Sequence, residues 1–483
     1  MVFSSIVFIF QFLPVTVLVY YLLPDYMKNG WLVISSLFFY AWGEPRYVFW
    51  LICSTVMNYL FGRWLERGNK KILTFGILAN AVLLCFFKYA AMMEEMLHAL
   101  TGEKLDLLGV AMPIGISFYS FQSISYLEDV YRKDAMVQKN IVNFAAYITM
   151  FPQLIAGPVV QYRDIESQLS HPVREKWEQI GQISDGVQRF ILGLCKKVIV
   201  ADSFAGIVAS VGERPEAMLT AWVGVFAFTM EIYFDFSGYS DMGIGLAKML
   251  GFELKENFDY PYIAKNITQF WRRWHISIGT WFRTYVYIPL GGNRKGIARQ
   301  IINIFIVWGL TGMWHGAGVN FILWGLYYGI LLTAEKVLWI PLWGWIKRKN
   351  HKNVIRIMSA LAHVYTMFFV MLGWCLFEIM DLKNLGRYVG SLFGIGVTMV
   401  DNTGLWLIQN NWLFICISIL FTTPVIKKSC AKLEHSIMEK YPGNQAFNAG
   451  VIVLNLLVIF GMFALAVAYL IVQNYQPFLY FKF

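Results

Sequence analysis

VIVLNLLVIFGMFALAVAYLIV, residues Val451 to Val472, carries no charged side chain in a run longer than the about 20 residues a helix needs to cross a bilayer. It reads as a membrane span. Comparable blocks recur along nearly the whole chain of 483 residues, which is 58% hydrophobic and 17% aromatic. Only 14% of residues are charged, against about 25% in a soluble domain. No polar stretch is long enough to fold separately, which excludes a soluble enzyme on a single anchor. The blocks allow roughly ten to twelve crossings. Unbroken runs also exclude a β-barrel, whose strands alternate. The expected fold is an all-α polytopic membrane protein.

The formal net charge of +10 is spread in short basic clusters between apolar runs, which fits positive-inside topology better than nucleic-acid binding. The first block, Phe3 to Leu23, lacks a basic n-region and a small-residue cleavage site and reads as a retained span. Arg63, Arg67, Lys70 and Lys71 mark a cytoplasmic loop, and Glu94, Glu95, Glu103 and Asp106 an outer one. Lys427, Lys428, Lys432 and Lys440 mark another cytoplasmic loop, so both termini are expected outside. Basic residues at Arg294, Lys295 and Arg299 and again at Lys347 to Lys352 require Gln300 to Leu338 to enter and return. Its middle, TGMWHGAGVN (Thr311 to Asn320), has glycines that permit a helix break around His315. Met112 to Tyr126 and Gln269 to Leu290 are too polar to face lipid and are expected as re-entrant or tilted helices lining an enclosed cavity. The polar tract Tyr162 to Gly186 reads as a surface loop or amphipathic helix.

Polar groups kept in apolar context are the first functional candidates. EIYFDFSGYSDMGIG holds Glu231, Asp235 and Asp241. These carboxylates could line an ion pathway, orient a histidine, or pair with Arg272 or Arg273. QFWRRWHISIGTWFRTYVYIPLGGNR holds Arg272, Arg273, His275 and Arg283 among tryptophans. An interfacial helix has the same composition, but the run lacks a long helical period and closes on Pro289, Gly291 and Gly292. His315, between Trp314 and Gly316, is either a packing residue or a general base, a role in which neutral imidazole tolerates a low-dielectric cavity. Whether His275 meets it cannot be read from spacing. His98, His171, His351, His363 and His435 show no ligand spacing, and the six cysteines are dispersed without a CxxC pair, so no metal and no disulfide framework are expected. The absence of a Walker A loop, a GxGxxG and a GxSxG turn argues against an ATP-driven pump. The closing YQPFLYFKF has the composition of an aromatic belt.

At these residues the sequence resembles the membrane-bound O-acyltransferase family, in its bacterial polysaccharide-acetylating branch. The resemblance runs through Pro113 to Arg132, Phe151 to Tyr162, Tyr233 to Gly245, ENFDYPY with FWRRWHIS, and GMWHGAGVNFILWG, in order and over nearly the whole chain. It implies a single membrane domain, 1–483, with N-terminal spans (1–110), a catalytic core around a transmembrane tunnel (111–340), C-terminal spans (341–472) and an extracytoplasmic tail (473–483). It implies His315 as the catalytic histidine and His275 as a second catalytic or orienting group. Substrate contacts are expected from Arg272, Arg273, Trp274, Trp314, Asp235 and Asp241. Thr284 stands where relatives often carry an acid, whose role is not transferred.

The end FLYFKF fits the pattern F-x-Y-x-x-F of acyl-relaying relatives, which makes Tyr480 an acyl relay. The resemblance further implies acetyl-CoA as donor substrate with no bound cofactor. Its other implications are an SGNH-type extracytoplasmic partner, a polysaccharide acceptor and residence in the bacterial plasma membrane. Two alternatives stand beside this one: a D-alanyl transferase fed by a carrier-protein thioester, and an ion-coupled secondary transporter using Glu231, Asp235 and Asp241.

Overall fold

A computed structural model describes residues 1–101, 112–155, 157–170, 176–339, 341, 343–344, 348, 352–440, 445–472 and 478–479. Among these residues the architecture is helical, and the only β feature is an isolated bridge between Ala217 and Thr398. Seven helices are long and apolar enough to cross a membrane: Lys70–Tyr89, Met218–Met249, Gly296–His315, Val319–Trp339, Lys352–Glu378, Asn402–Phe421 and Ala449–Val472. The chain is therefore a polytopic all-α membrane protein. Seven is fewer than the roughly ten to twelve read from apolar runs. Asp25–Gly43 and Val48–Leu65 are made more polar by residues that include amides binding neighbours inside the protein. Asn29 Nδ2 donates to Asn143 Oδ1 at 2.9 Å, and Asn58 and Asn80 exchange two amide hydrogen bonds at 3.0 and 2.7 Å.

The helix Met218–Met249 is the axis of the fold. Its most apolar window is 78% buried, against 6% for Ala449–Val472, which presents nearly its whole surface outward. Lys176–Cys195 packs against it in the opposite direction, closely enough that glycines face backbone. A Cβ on Gly193 would lie 2.5 Å from the carbonyl oxygen of Gly238, and one on Gly186 2.7 Å from that of Gly245. Each helix thus repeats its glycine after seven residues, the small-residue packing by which membrane helices approach one another. The tract Tyr162 to Gly186 ends as an exposed helical element, with Trp177 80% exposed and burial beginning at Gly186. Its last part is the first half of Lys176–Cys195, whose opposite end is built into the core.

The entering and returning segment is a helical hairpin, Gly296–His315 and Val319–Ala334, broken at Gly316 to Gly318. Ile116–Arg132 is a continuous helix buried along most of its length. It packs behind the stretch 269–290, which is a chain of short pieces: Ile267–Trp271, Ile276–Phe282 and Arg283–Tyr287. Trp281 Nε1 donates to the carbonyl of Phe121 at 2.9 Å and joins the two.

Candidate active site

The central cavity, of about 910 Å³, lies between Met218–Met249, the broken stretch after Ile267 and the helical hairpin. His275 and His315 both line it. His275 sits at the N-cap of Ile276–Phe282 with φ +46, left-handed backbone that a non-glycine residue holds only under constraint. The constraint is Asn257. Its carbonyl accepts the N–H of Ile276 at 2.9 Å, while its side-chain Oδ1 accepts the N–H of Ser277 at 3.2 Å and the Ser277 hydroxyl at 2.9 Å.

Because a backbone N–H can only donate, the Asn257 atom facing Ser277 must be the oxygen. His275 Nδ1, 3.0 Å from the same oxygen, therefore carries the proton. Nε2 is left with a lone pair, and no group among the described residues hydrogen-bonds to it. His275 is 3% exposed, with its ring edge-on to Phe236 at 4.6 Å. The preceding helix is fixed by a buried carboxylate: Glu335 Oε2 accepts the N–H and the hydroxyl of Thr268 at 2.9 and 2.8 Å, capping Ile267–Trp271.

His315 is the last residue of Gly296–His315, enclosed by the rings of Trp314, Trp324 and Phe377 at centroid distances of 4.6, 4.9 and 4.9 Å. Trp314 also touches His275, with centroids 6.0 Å apart, so one indole contacts both imidazoles. The terminal carbonyls of this helix need donors from elsewhere. Two come from Lys70–Thr101: Lys88 Nζ donates to the carbonyl of Trp314, and Tyr89 Oη to that of Met313 at 2.7 Å.

Among the other predicted contacts, Arg272, Trp274, Trp314 and Asp235 line the cavity. Arg283, Arg294, Lys295 and Lys336 add further positive charge to its wall. Arg273 instead pairs with Asp259 at 2.8 Å. Asp241 is bound by Lys196 and Arg189, both at 2.6 Å, and lies outside the cavity wall. Asp235 is bound by Lys197 at 2.8 Å. Neither of these two carboxylates pairs with Arg272 or Arg273, and both are bound by cations from elsewhere in the chain.

The C-terminal segment reaches the same place. Phe478 and Leu479 are buried and line the cavity, and the N–H of Leu479 donates to Asp235 Oδ2 at 2.8 Å. Tyr480, His171 and His351 lie outside the described residues. Among the described residues no group of three or more His, Cys, Asp or Glu is placed to hold a metal ion.

The profile of the membrane-bound O-acyltransferase family matches residues 67–377. The chain belongs to the membrane-bound O-acyltransferase family. Within that family it falls in the alginate O-acetylase branch. It is 41% identical over 408 residues to the probable alginate O-acetylase AlgI of Pseudomonas syringae pv. tomato, covering 82% of this chain and 76% of the relative. It is 35% identical to the protein of that name in Azotobacter vinelandii over the full length of both. It is also 33% identical to a peptidoglycan O-acetyltransferase of Helicobacter pylori, covering 83% of this chain and 81% of the relative. The chain is an O-acyltransferase.

Three residues of this acyltransferase's site escaped the reading of the sequence: Asn257, Glu335 and Lys88. Asn257 stands in ENFDYPY, a stretch quoted for its resemblance without a role for the amide. Glu335 and Lys88 had a signal of their own, since each is a charge at the end of an apolar run, but that position also suits an ordinary interfacial anchor.

Proposed function

We propose that this chain takes an acetyl group from cytoplasmic acetyl-CoA and passes it through the membrane to Tyr480. An extracytoplasmic SGNH-type partner then delivers it to a cell-wall polymer or exopolysaccharide. The observation that carries this reading is the convergence of His275, His315 and the segment Phe478–Leu479 on one cavity. Arg272, Arg283, Arg294, Lys295 and Lys336 on its wall suit a donor bearing phosphates. Arg294 and Lys295 also belong to a loop that the positive-inside rule puts in the cytoplasm.

In the proposed step His315 accepts the proton of the Tyr480 hydroxyl as its oxygen attacks the thioester carbonyl carbon. The carbon–sulfur bond breaks, coenzyme A leaves as the thiolate, and the imidazolium proton neutralises it. The Tyr480 hydroxyl carries one proton, so His275 either takes that proton in place of His315, through its Nε2 lone pair, or orients the substrate without taking it. Both termini are then extracytoplasmic, residues 111–340 form the catalytic core, and the crossings number roughly ten to twelve.

The curated relatives named for acetyl transfer to alginate and peptidoglycan support an extracytoplasmic acceptor. Incubation of purified protein with radiolabelled acetyl-CoA, followed by peptide mapping, tests the reading. Label on the peptide containing Tyr480 is expected, and label confined to any other residue would refute the relay.

A further inference from the structure

Asp235 lies within the helix Met218–Met249 and is 1% exposed, yet both its oxygens are engaged. Oδ1 faces Lys197 Nζ at 2.8 Å, and the same ammonium is held by Asp202 at 2.7 Å. Oδ2 accepts the main-chain N–H of Leu479 at 2.8 Å. The next ring of the C-terminal segment is anchored to the same turn of helix. Phe478 is 3% exposed and lies 4.5 Å from Tyr239 and 5.9 Å from Phe236 by ring centroids. Phe236 in turn carries the edge contact to His275.

We propose that this turn, Asp235 to Tyr239, is a docking site for the chain's own C-terminal segment. Asp235 is its positioning residue, gripping the main chain one residue before Tyr480. The grip works through a charge-assisted hydrogen bond in a water-poor interior, where such a bond is shorter and stronger than a neutral one. Lys197 Nζ is shared between Asp235 and Asp202, which orients the Asp235 carboxylate while leaving Oδ2 for the amide. The aromatic slot adds direction: it admits a flat ring at position 478 and so fixes the register of the segment. The purpose of this site rests on the relay reading, whereas its geometry does not.

The test uses the full chain carrying Lys482→Cys, with modification by a bulky water-soluble maleimide followed on the C-terminal peptide by mass spectrometry. Two changes remove the same bond from opposite sides. Asp235→Leu removes the acceptor, and replacement of Leu479 by its α-hydroxy acid converts the donating amide to an ester. Each is expected to raise the rate of modification roughly 10- to 100-fold, the factor for losing a hydrogen bond to a charged group, and the combination is expected to do no more than either alone. Asp235→Asn keeps an acceptor for the amide and is expected to stay nearer the parent.

A rate unmoved by the ester, or effects that multiply in the combination, would overturn the docking site. An Asp235→Asn chain as open as Asp235→Leu would also overturn it, because the carboxylate would then serve only to balance Lys197. The same chains given radiolabelled acetyl-CoA separate this inference from the relay. Label falling as the segment opens supports both, while the expected modification rates with no label on any chain, the parent included, would defeat the relay and leave the docking site standing.

Discussion

Asn257 Oδ1 lies 3.0 Å from His275 Nδ1 and sets the tautomer of the imidazole, because the same oxygen is identified by the backbone N–H of Ser277. Asn257→Ala is expected to lower acetyl transfer about 5- to 100-fold, the range for leaving a buried donor unsatisfied. His275 then loses the bond that keeps its lone pair on Nε2. Initial rates with radiolabelled acetyl-CoA, on protein whose detergent-solubilised yield matches the parent, would show it. An unchanged rate would mean that the tautomer does not matter.

His315→Ala is expected to cost about 100- to 10,000-fold, as loss of a general base does, with the chain still inserted. His275→Ala should be comparable or milder. If the His315 variant keeps activity within about tenfold of the parent, short of that general-base loss, the residue is a packing histidine.

Lys88 reaches the carbonyl next to His315 and is expected to act on its placement. Lys88→Met should reduce the turnover number about 10-fold with little change in KM for acetyl-CoA, since the lost cap frees the last turn without touching the donor. Lys88→Arg, which keeps a donor there, should recover part of the loss. A rise in KM alone would place Lys88 in donor binding.

Tyr480→Phe retains the ring and removes the only oxygen able to carry an ester. Expression and acetyl-CoA binding should persist while polymer acetylation and label on the C-terminal segment disappear. An anchoring tyrosine predicts the reverse order, with Phe tolerated and Ala damaging. Full polymer acetylation by the Phe variant would require transfer straight from the cavity to the partner.

Gly193→Val sets a side chain against the backbone of the axial helix, where even a Cβ would lie 2.5 Å from the carbonyl of Gly238. The expected result is loss of folded protein on size-exclusion chromatography, beyond the about 1 to 3 kcal/mol of ordinary overpacking, because a backbone carbonyl cannot rotate away. Gly206→Val, where a Cβ meets nothing within 4 Å, is the control and should express normally.

The sequence displayed the helical class, the broken hairpin at His315 and the polar stretch after Gln269 because each is local: a charge or glycine stands out against its apolar neighbours. The partners of those residues were not legible for the opposite reason. Lys88 and Trp314 are 226 positions apart, and Asp235 and Leu479 244, so their pairing exists only after the helices pack. Asp235 and Asp241 stood out as buried carboxylates, but arginines close to His275 looked like their natural partners. The lysines and arginine that bind them come from Lys176–Cys195 and the π-helical Lys196–Ala201, whose approach is set by seven-residue glycine spacing. Hydropathy likewise misjudges a helix such as Val48–Leu65, whose buried amide Asn58 makes it look more polar although that amide is satisfied inside the protein.

Leu479 is held by its backbone, and this bears on how the pattern F-x-Y-x-x-F can be spelled. An amide is common to nineteen of the twenty coded residues, so the grip at position 479 is blind to the alphabet, and the letter there is free to drift so long as its side chain fits. Phe478, by contrast, is read by shape, because its slot is made of two rings. Proline is the one letter forbidden at 479, lacking the hydrogen that Asp235 receives. The unspecified place in the pattern is thus a position written in main chain, and lineages can vary it without renegotiating the cavity.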